Sequence, residues 1–420
     1  MFSHLTSQLR ADVETVQKVL VINDALRDLL IARNAALAGL PTEPPAGSDD
    51  LIQTVHALAR LLPGAPNKLD WQIYDHCAAL TRLYSAYERY VDELVSEYVR
   101  LLPQLYVKYA DLPVSITTQH RIGVGQILLK IGEKGPFKNL EEQVVVRELA
   151  AGLSGASGYS LLADAFFIDR QNLRFEMLGR LFSALGFKHC GRHINQHPAI
   201  TGFIKAERAD SSSAEKELRD FIDYRNEAAH RKVDNVLAID TIGSIGRFVV
   251  ALGHALAEMV EDGVLGRRME LNHYSPILRV SEIHHDGYVV VGTAIADATV
   301  AVGDEVVLYG RNVCHRVKLE SIQLDGQAVQ VATGDGATEI GVRLSKRAKA
   351  GAELRRLRIP IEAPKEVQLN LEDAMPAMSD EADTDVADTA ESQASGATAD
   401  TSRAAEADLG DSEGTTPTEG

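Results

Sequence analysis

The stretch SSSAEKELRDFIDYRNEAAHRKV, residues 211–233, brings a guanidinium, an amide and an imidazole together in Arg225, Asn226 and His230. These groups fit one reaction. A ribose 2′-hydroxyl can attack its own phosphodiester if a base removes its proton and a cation holds the crowded phosphorane. An imidazole titrates near neutral pH and serves as general base or acid. A guanidinium fork matches phosphate oxygens and stays charged. The amide of Asn226 can orient either the substrate or the histidine. One imidazole does not easily serve both sides of a phosphorus, so a two-fold dimer supplying a second Arg225 and His230 is expected. The reaction asks for no metal and no cofactor, and none is expected. DNA lacks the attacking hydroxyl and would be spared.

Spacing alone decides nothing. Arg-x4-His occurs at 192/197, 225/230, 268/273 and 279/284. Gly191 and Pro198 discourage a helix through the first pair. The third falls at a domain hinge and the fourth in a strand region. Only 225/230 lies inside a strong helix pattern, with Ser212 and Glu215 spaced as a capping box at its start. Leu218, Phe221, Ile222 and Ala229 are expected to form its buried stripe. Asp223, Asn226 and His230 then share a face, with Asp223 and Glu227 as supporting carboxylates. Arg225 falls on the border between faces. The plain alternative is a surface helix on which Arg225 and His230 pair with Asp223 and Glu227.

LRDFIDYRNEAAHRKV resembles the signature helix of HEPN domains, which carry Arg, a polar residue, a short spacer and His. YERYVDELVSEYVRLLPQLY, RIGVGQILLKIG and DRQNLRFEMLGRLFSALGF are similar to the preceding helices of the RiboL-PSP-HEPN group. The resemblance covers about residues 70–260. It implies a helical, dimeric ribonuclease whose metal-independent site lies between subunits, and by position it assigns Arg225, Asn226 and His230. It also implies a setting in defence or toxin-like growth arrest, with a neutralising partner. Members that adenylylate their partners carry Tyr two residues after the His. Lys232 stands there, against that activity.

The chain that must position these groups has 420 residues, 45% apolar and 25% charged, the composition of a soluble globular protein. Its net charge is −17, but residues 371–420 hold fourteen Asp and Glu against Arg403 alone, so the rest is nearly neutral. A local basic patch for nucleic acid is compatible with that balance. Cys77, Cys190 and Cys314 are far apart, which fits reduced thiols and a cytoplasmic protein. No secretory signal and no membrane span is read.

Three regions follow. Residues 1–266 read as all helical, with helices also expected at 10–37, 50–62, 113–131 and 140–152. Asp240 is expected to cap the last helix and Gly263 to end it, with GVLGRRMEL as a hinge. From 272 to 360 the pattern alternates, rich in Val and Ile and punctuated by Gly and Asp, as in a small β-barrel. Residues 363–420 are an acidic tail expected to be disordered. The fold class is thus mainly α and multi-domain, with a helical bundle, a barrel and a tail.

Gly292, Val302-Gly303-Asp304, Gly334-Asp335, Gly341 and Gly351 resemble the second domain of elongation factor Tu and other translational GTPases. The glycines are expected at turns needing positive φ. That resemblance implies delivery to structured RNA, such as tRNA or ribosomal RNA. NKLD at 67–70 mimics a guanine-recognition string, but no phosphate-cradling Gly-x4-Gly-Lys motif accompanies it. KHCGRHINQHP holds His189, Cys190, His193 and His197 without paired zinc spacing. It reads as a basic loop, and Lys188, Arg192, Arg231 and Lys232 are expected to touch RNA. A non-catalytic RNA- or ribosome-binding module and a protein-interaction scaffold are the competing functions.

Overall fold

A helix begins where a side chain can answer its free N–H groups. Asn67 does this for the longest helix: its Oδ1 accepts the Asp70 N–H at 2.9 Å. The NKLD string is therefore a helix start. In the computed structural model the described residues are 1–37, 66–132, 137, 139–155, 158–168, 172–208, 212–230, 233, 235–310 and 313–358, side chains of 30–37, His230 and Val313 excepted. The helix expected at 50–62 and the acidic tail lie outside them.

Among the described residues there are nine α-helices: α1 (Ser3–Leu37), α2 (Lys68–Leu105), α3 (Val114–Lys130), α4 (Glu142–Leu153), α5 (Phe175–Ala184), α6 (Cys190–Gln196), α7 (Pro198–Glu207), α8 (Ala214–His230) and α9 (Ile239–Glu270). No helix among the described residues is long and apolar enough to cross a membrane. The 3.6-residue pattern of α2 buries Leu80, Leu83, Tyr87, Val91, Leu94 and Leu102. A fully buried leucine contributes about 1.5–3 kcal/mol, so this stripe anchors the bundle. α1, α8 and α9 all pack on α2.

Several helix ends differ from the sequence reading. α5 starts at Phe175, and residues 172–174 precede it outside the helix. Its end agrees with expectation, since Gly186 follows with φ +93°. α8 is capped by Ser213, whose hydroxyl accepts the Lys216 N–H at 3.2 Å; Ser212 instead bonds Glu217 at 2.6 Å. α9 starts after Ala238, placing Asp240 in its first turn, where a carboxylate suits the helix dipole. Gly263 does not end α9. A Cβ there would sit 2.5 Å from the ring of Phe187, so glycine admits a close crossing.

The expected hinge is the end of α9 itself. His273 N–H returns to Arg268 O at 3.1 Å, with Asn272 left-handed at φ 57°. Beyond it Leu265, Met269, Tyr274 and Val307 form one buried cluster that joins helix and barrel. The strands are β1 (Tyr274–His284), β2 (Val289–Ala294), β3 (Thr299–Ala301), β4 (Glu305–Gly310), β5 (Val313–Leu324), β6 (Gln327–Val329), β7 (Val331–Thr333), β8 (Glu339–Leu344) and β9 (Glu353–Leu357). The order β4-β9-β1-β2-β8-β5 closes through a β4–β5 pairing into a six-stranded antiparallel barrel. Gly303 and Gly351 take the positive φ expected of turns. Gly292 does not: it lies inside β2, where a Cβ would meet the Arg279 carbonyl at 2.2 Å.

Candidate active site

Leu218, Phe221 and Ile222 bury the face of α8 that meets α2. The next position on that stripe is 225, one turn on from Phe221 and Ile222. It holds an arginine. Ala229, read from sequence as the continuation, is exposed, and Ala228 is the alanine packed on the core.

Arg225 is half-buried because its guanidinium lies on the ring of Tyr84 from α2, 4.4 Å from the centroid. Such a stacking stabilises a desolvated cation by roughly 1–2 kcal/mol. Its Nη1 donates to Asn226 Oδ1 at 3.0 Å. Asn172 Nδ2 reaches the same oxygen at 3.5 Å, and the Tyr84 hydroxyl donates to Asn172 Oδ1 at 3.4 Å. The four side chains close a ring: Tyr84, Asn172, Asn226, Arg225 and back to Tyr84. The Tyr84 oxygen also accepts the Leu173 N–H at 3.1 Å, and Tyr87 donates to Leu173 O at 2.8 Å. Two tyrosines of α2 thereby fasten the chain at 172–173 against α8.

The electrostatics keep the ring cationic at Arg225 and neutral at Tyr84. Burial pushes the Tyr84 phenol up to about 12, against the opposing pull of the Arg225 charge. Arg225 Nε is sealed from water and makes no hydrogen bond. An unanswered buried donor of this kind costs about 1–3 kcal/mol.

Asp223 is exposed and stands 3.8 Å from Arg174. Glu227 is half-buried, and its charge acts on His76 and Cys77 of α2. His76 is buried, and its Nδ1 accepts the Leu237 N–H at 3.1 Å. Burial first, opposed by Glu227, lowers its pKa, so it is a neutral structural imidazole. Lys188 is exposed ahead of α6 and Arg192 is exposed on it. α6 meets α8 at its opposite end, where Asn195 Oδ1 accepts the Ala214 N–H at 3.1 Å. His230 is the last residue of α8. Its side chain, with Arg231 and Lys232, lies outside the described residues.

The structure therefore joins Arg225 to Asn226, and adds Tyr84, Asn172 and Arg174, which sequence reading passed over. Tyr84 is one more buried aromatic among the apolar residues of α2, with no spacing signal of its own. Asn172 and Arg174 were absorbed into a helix pattern that in fact begins later. The arrangement presents a rigidly held guanidinium five residues ahead of a histidine, a pairing able to neutralise a phosphate and to move a proton.

No curated protein and no solved structure matches the chain. The RiboL-PSP-HEPN family model matches residues 49–262, which include all of α2 through α8 and most of α9. The chain belongs to the RiboL-PSP-HEPN family.

Proposed function

We propose that the chain is an endoribonuclease acting through Arg225, Asn226 and His230. The ribose 2′-oxygen attacks the adjacent phosphorus as an imidazole of His230 takes its proton. The 5′-oxygen leaves with a proton, giving a 2′,3′-cyclic phosphate and a free 5′-hydroxyl. Arg225 offsets the extra charge of the phosphorane. Asn226 acts on Arg225, holding the guanidinium in one rotamer. A second copy of the chain supplies the imidazole on the far side of the phosphorus, so the working unit is a homodimer. RNA is the partner, with tRNA and ribosomal RNA the first candidates because the barrel resembles an RNA-facing domain of translation factors.

The observation that carries this reading is the pinned guanidinium. Arg225 occupies a core-facing position, stacked on Tyr84 and bonded to Asn226, in a family that is often ribonucleolytic. A surface helix with a casual ion pair would not bury that charge.

The test is cleavage of a pool of tRNA and ribosomal RNA in EDTA by the full chain. Cyclic phosphate ends are expected, with activity lost in His230→Ala and reduced at least about a hundredfold in Arg225→Ala. A substrate with a 2′-deoxy sugar at the cleaved position is expected to survive. Salt-dependent RNA binding without cleavage by the parent would replace the enzyme with a binding module. Absence of any RNA affinity would leave a protein scaffold.

A further inference from the structure

α9 meets the barrel at a group of ionisable side chains that shares no residue with α8. Glu258 and Asp262 lie one turn apart on α9. His315 on β5 faces both: its Nδ1 is 2.7 Å from Asp262 Oδ2 and 4.0 Å from Glu258 Oε1. These three donors fall within 4.8 Å of one another. The other Glu258 oxygen, Oε2, is held by Lys346 at 2.9 Å and approached by His197 Nε2 at 3.3 Å.

Three imidazole nitrogens around Glu258 are buried without a well-directed hydrogen bond. His315 Nδ1, His197 Nε2 and His193 Nε2 are sealed from solvent; the first two meet Asp262 and Glu258 at ion-pair distance and, against the upward push of burial, pull those carboxylates' pKa values down, but from off the hydrogen-bond direction. His197 is the most deeply placed, with a side chain 7% exposed. Its Nδ1 accepts the Ala199 N–H at 3.2 Å, which makes Nε2 the protonated nitrogen and aims it at Glu258. Two carboxylates stand against the single ammonium of Lys346. Glu258, Asp262 and His315 are all half-buried.

We propose that Glu258 Oε1, Asp262 Oδ2 and His315 Nδ1 bind a divalent first-row transition-metal ion of the zinc type, which clamps the barrel to α9. One imidazole with two carboxylates suits zinc, while magnesium and calcium prefer oxygen alone. Four-coordinate zinc with bonds of about 2.0–2.1 Å spaces its donors about 3.4 Å apart. The separations of 2.7 and 4.0 Å lie on either side of that value, so small side-chain rotations complete the set. Lys346 holds Glu258 Oε2 from behind, as an outer-shell partner does, with His197 beside it, and a fourth position is open to water.

The test uses the full chain, stripped with a chelator and dialysed. Zinc chloride is titrated by calorimetry, and cobalt chloride by the visible absorption of a low-coordinate site. One zinc per chain is expected, with a rise in Tm, and magnesium chloride is expected to produce neither. His315→Gln and Asp262→Asn are expected to weaken zinc more than about tenfold, since even outer-shell partners are worth 10–100-fold. Asp262→Asn keeps the side-chain shape, so a folding failure of the other variant leaves the test intact. Arg225→Ala is expected to bind zinc like the parent, so the outcome is independent of any RNA cleavage. Failure of the stripped parent to bind one zinc would overturn the proposal, as would equal affinity in the parent and both variants.

Discussion

Acid should loosen the helical bundle through one residue. His120 on α3 is wholly buried. Its Nε2 accepts the Leu162 N–H at 3.1 Å, so Nδ1 carries the proton and meets the Tyr109 hydroxyl at 3.1 Å. Tyr109 in turn donates to Thr117 O at 3.4 Å. A second proton would end the bond to Leu162 and place a charge among Tyr109 and Phe166. Burial lowers the pKa of this imidazole to about 4, against 6.5 when unfolded. The folded pKa lies below the unfolded one, so its contribution is fully present above about pH 6.5. It is lost as pH falls toward 4, because the unfolded chain takes the proton first. Between neutral pH and about pH 5 the loss is about 2 kcal/mol, rising to about 3 kcal/mol below pH 4. Urea unfolding of the full chain at several pH values measures this. His76, His193 and His254 also have pKa values lowered first by burial, so the informative quantity is the difference from His120→Gln. That variant cannot titrate. Its pH slope is expected to be shallower by about 2 kcal/mol over the same interval, whatever packing it loses. Parallel slopes, within about 0.5 kcal/mol, would refute the reasoning, as would an NMR titration of the His120 ring with a midpoint near 6.5.

Further outcomes follow from contacts. Tyr84→Phe keeps the ring under Arg225 but strands the Leu173 N–H and releases Asn172; a loss of about 1–3 kcal/mol in urea unfolding is expected. Gly263→Ala forces a methyl toward Phe187 at 2.5 Å and should cost about 1–3 kcal/mol, read as a lower Tm. Arg27→Met leaves Asp75 buried without its 3.0 Å partner and should cost about 3–5 kcal/mol by urea unfolding, most of it recovered by adding Asp75→Leu.

Much of the architecture was legible because burial imposes a period. α2 displays its apolar face at every turn, and the barrel strands alternate, so both elements could be placed from the spacing of apolar residues. The ends were less legible. A capping hydroxyl at Ser212 or Ser213 looks the same in sequence, and only the Lys216 N–H distinguishes them. A glycine that ends a helix and one that admits a neighbour are also indistinguishable until Phe187 is placed beside Gly263. In the sequence the metal-ligand residue types gather around Cys190. Burial pushes that thiol up to about 12, so it stays protonated and is a poor ligand. The cluster that does form draws Glu258 and Asp262 from one helix and His315 from a strand far along the chain, a juxtaposition no local spacing encodes.

The site helix was misread at one informative position. Sequence spacing runs its apolar stripe from Ile222 to Ala229 and sets Arg225 on the border between faces. The stripe in fact runs through Arg225. Geometry sends position 225 toward α2, and the chain answers with a tyrosine ring and an asparagine in place of an aliphatic neighbour. Burying a guanidinium with one donor unanswered is a local choice that stability disfavours. Sequences retain such conflicts mainly where a site requires them. Leucine at 225 would extend the stripe without an orphaned donor, so Arg225→Leu is expected to be no less stable than the parent and inactive on RNA. A variant both less stable and fully active would show that the arginine is there for packing.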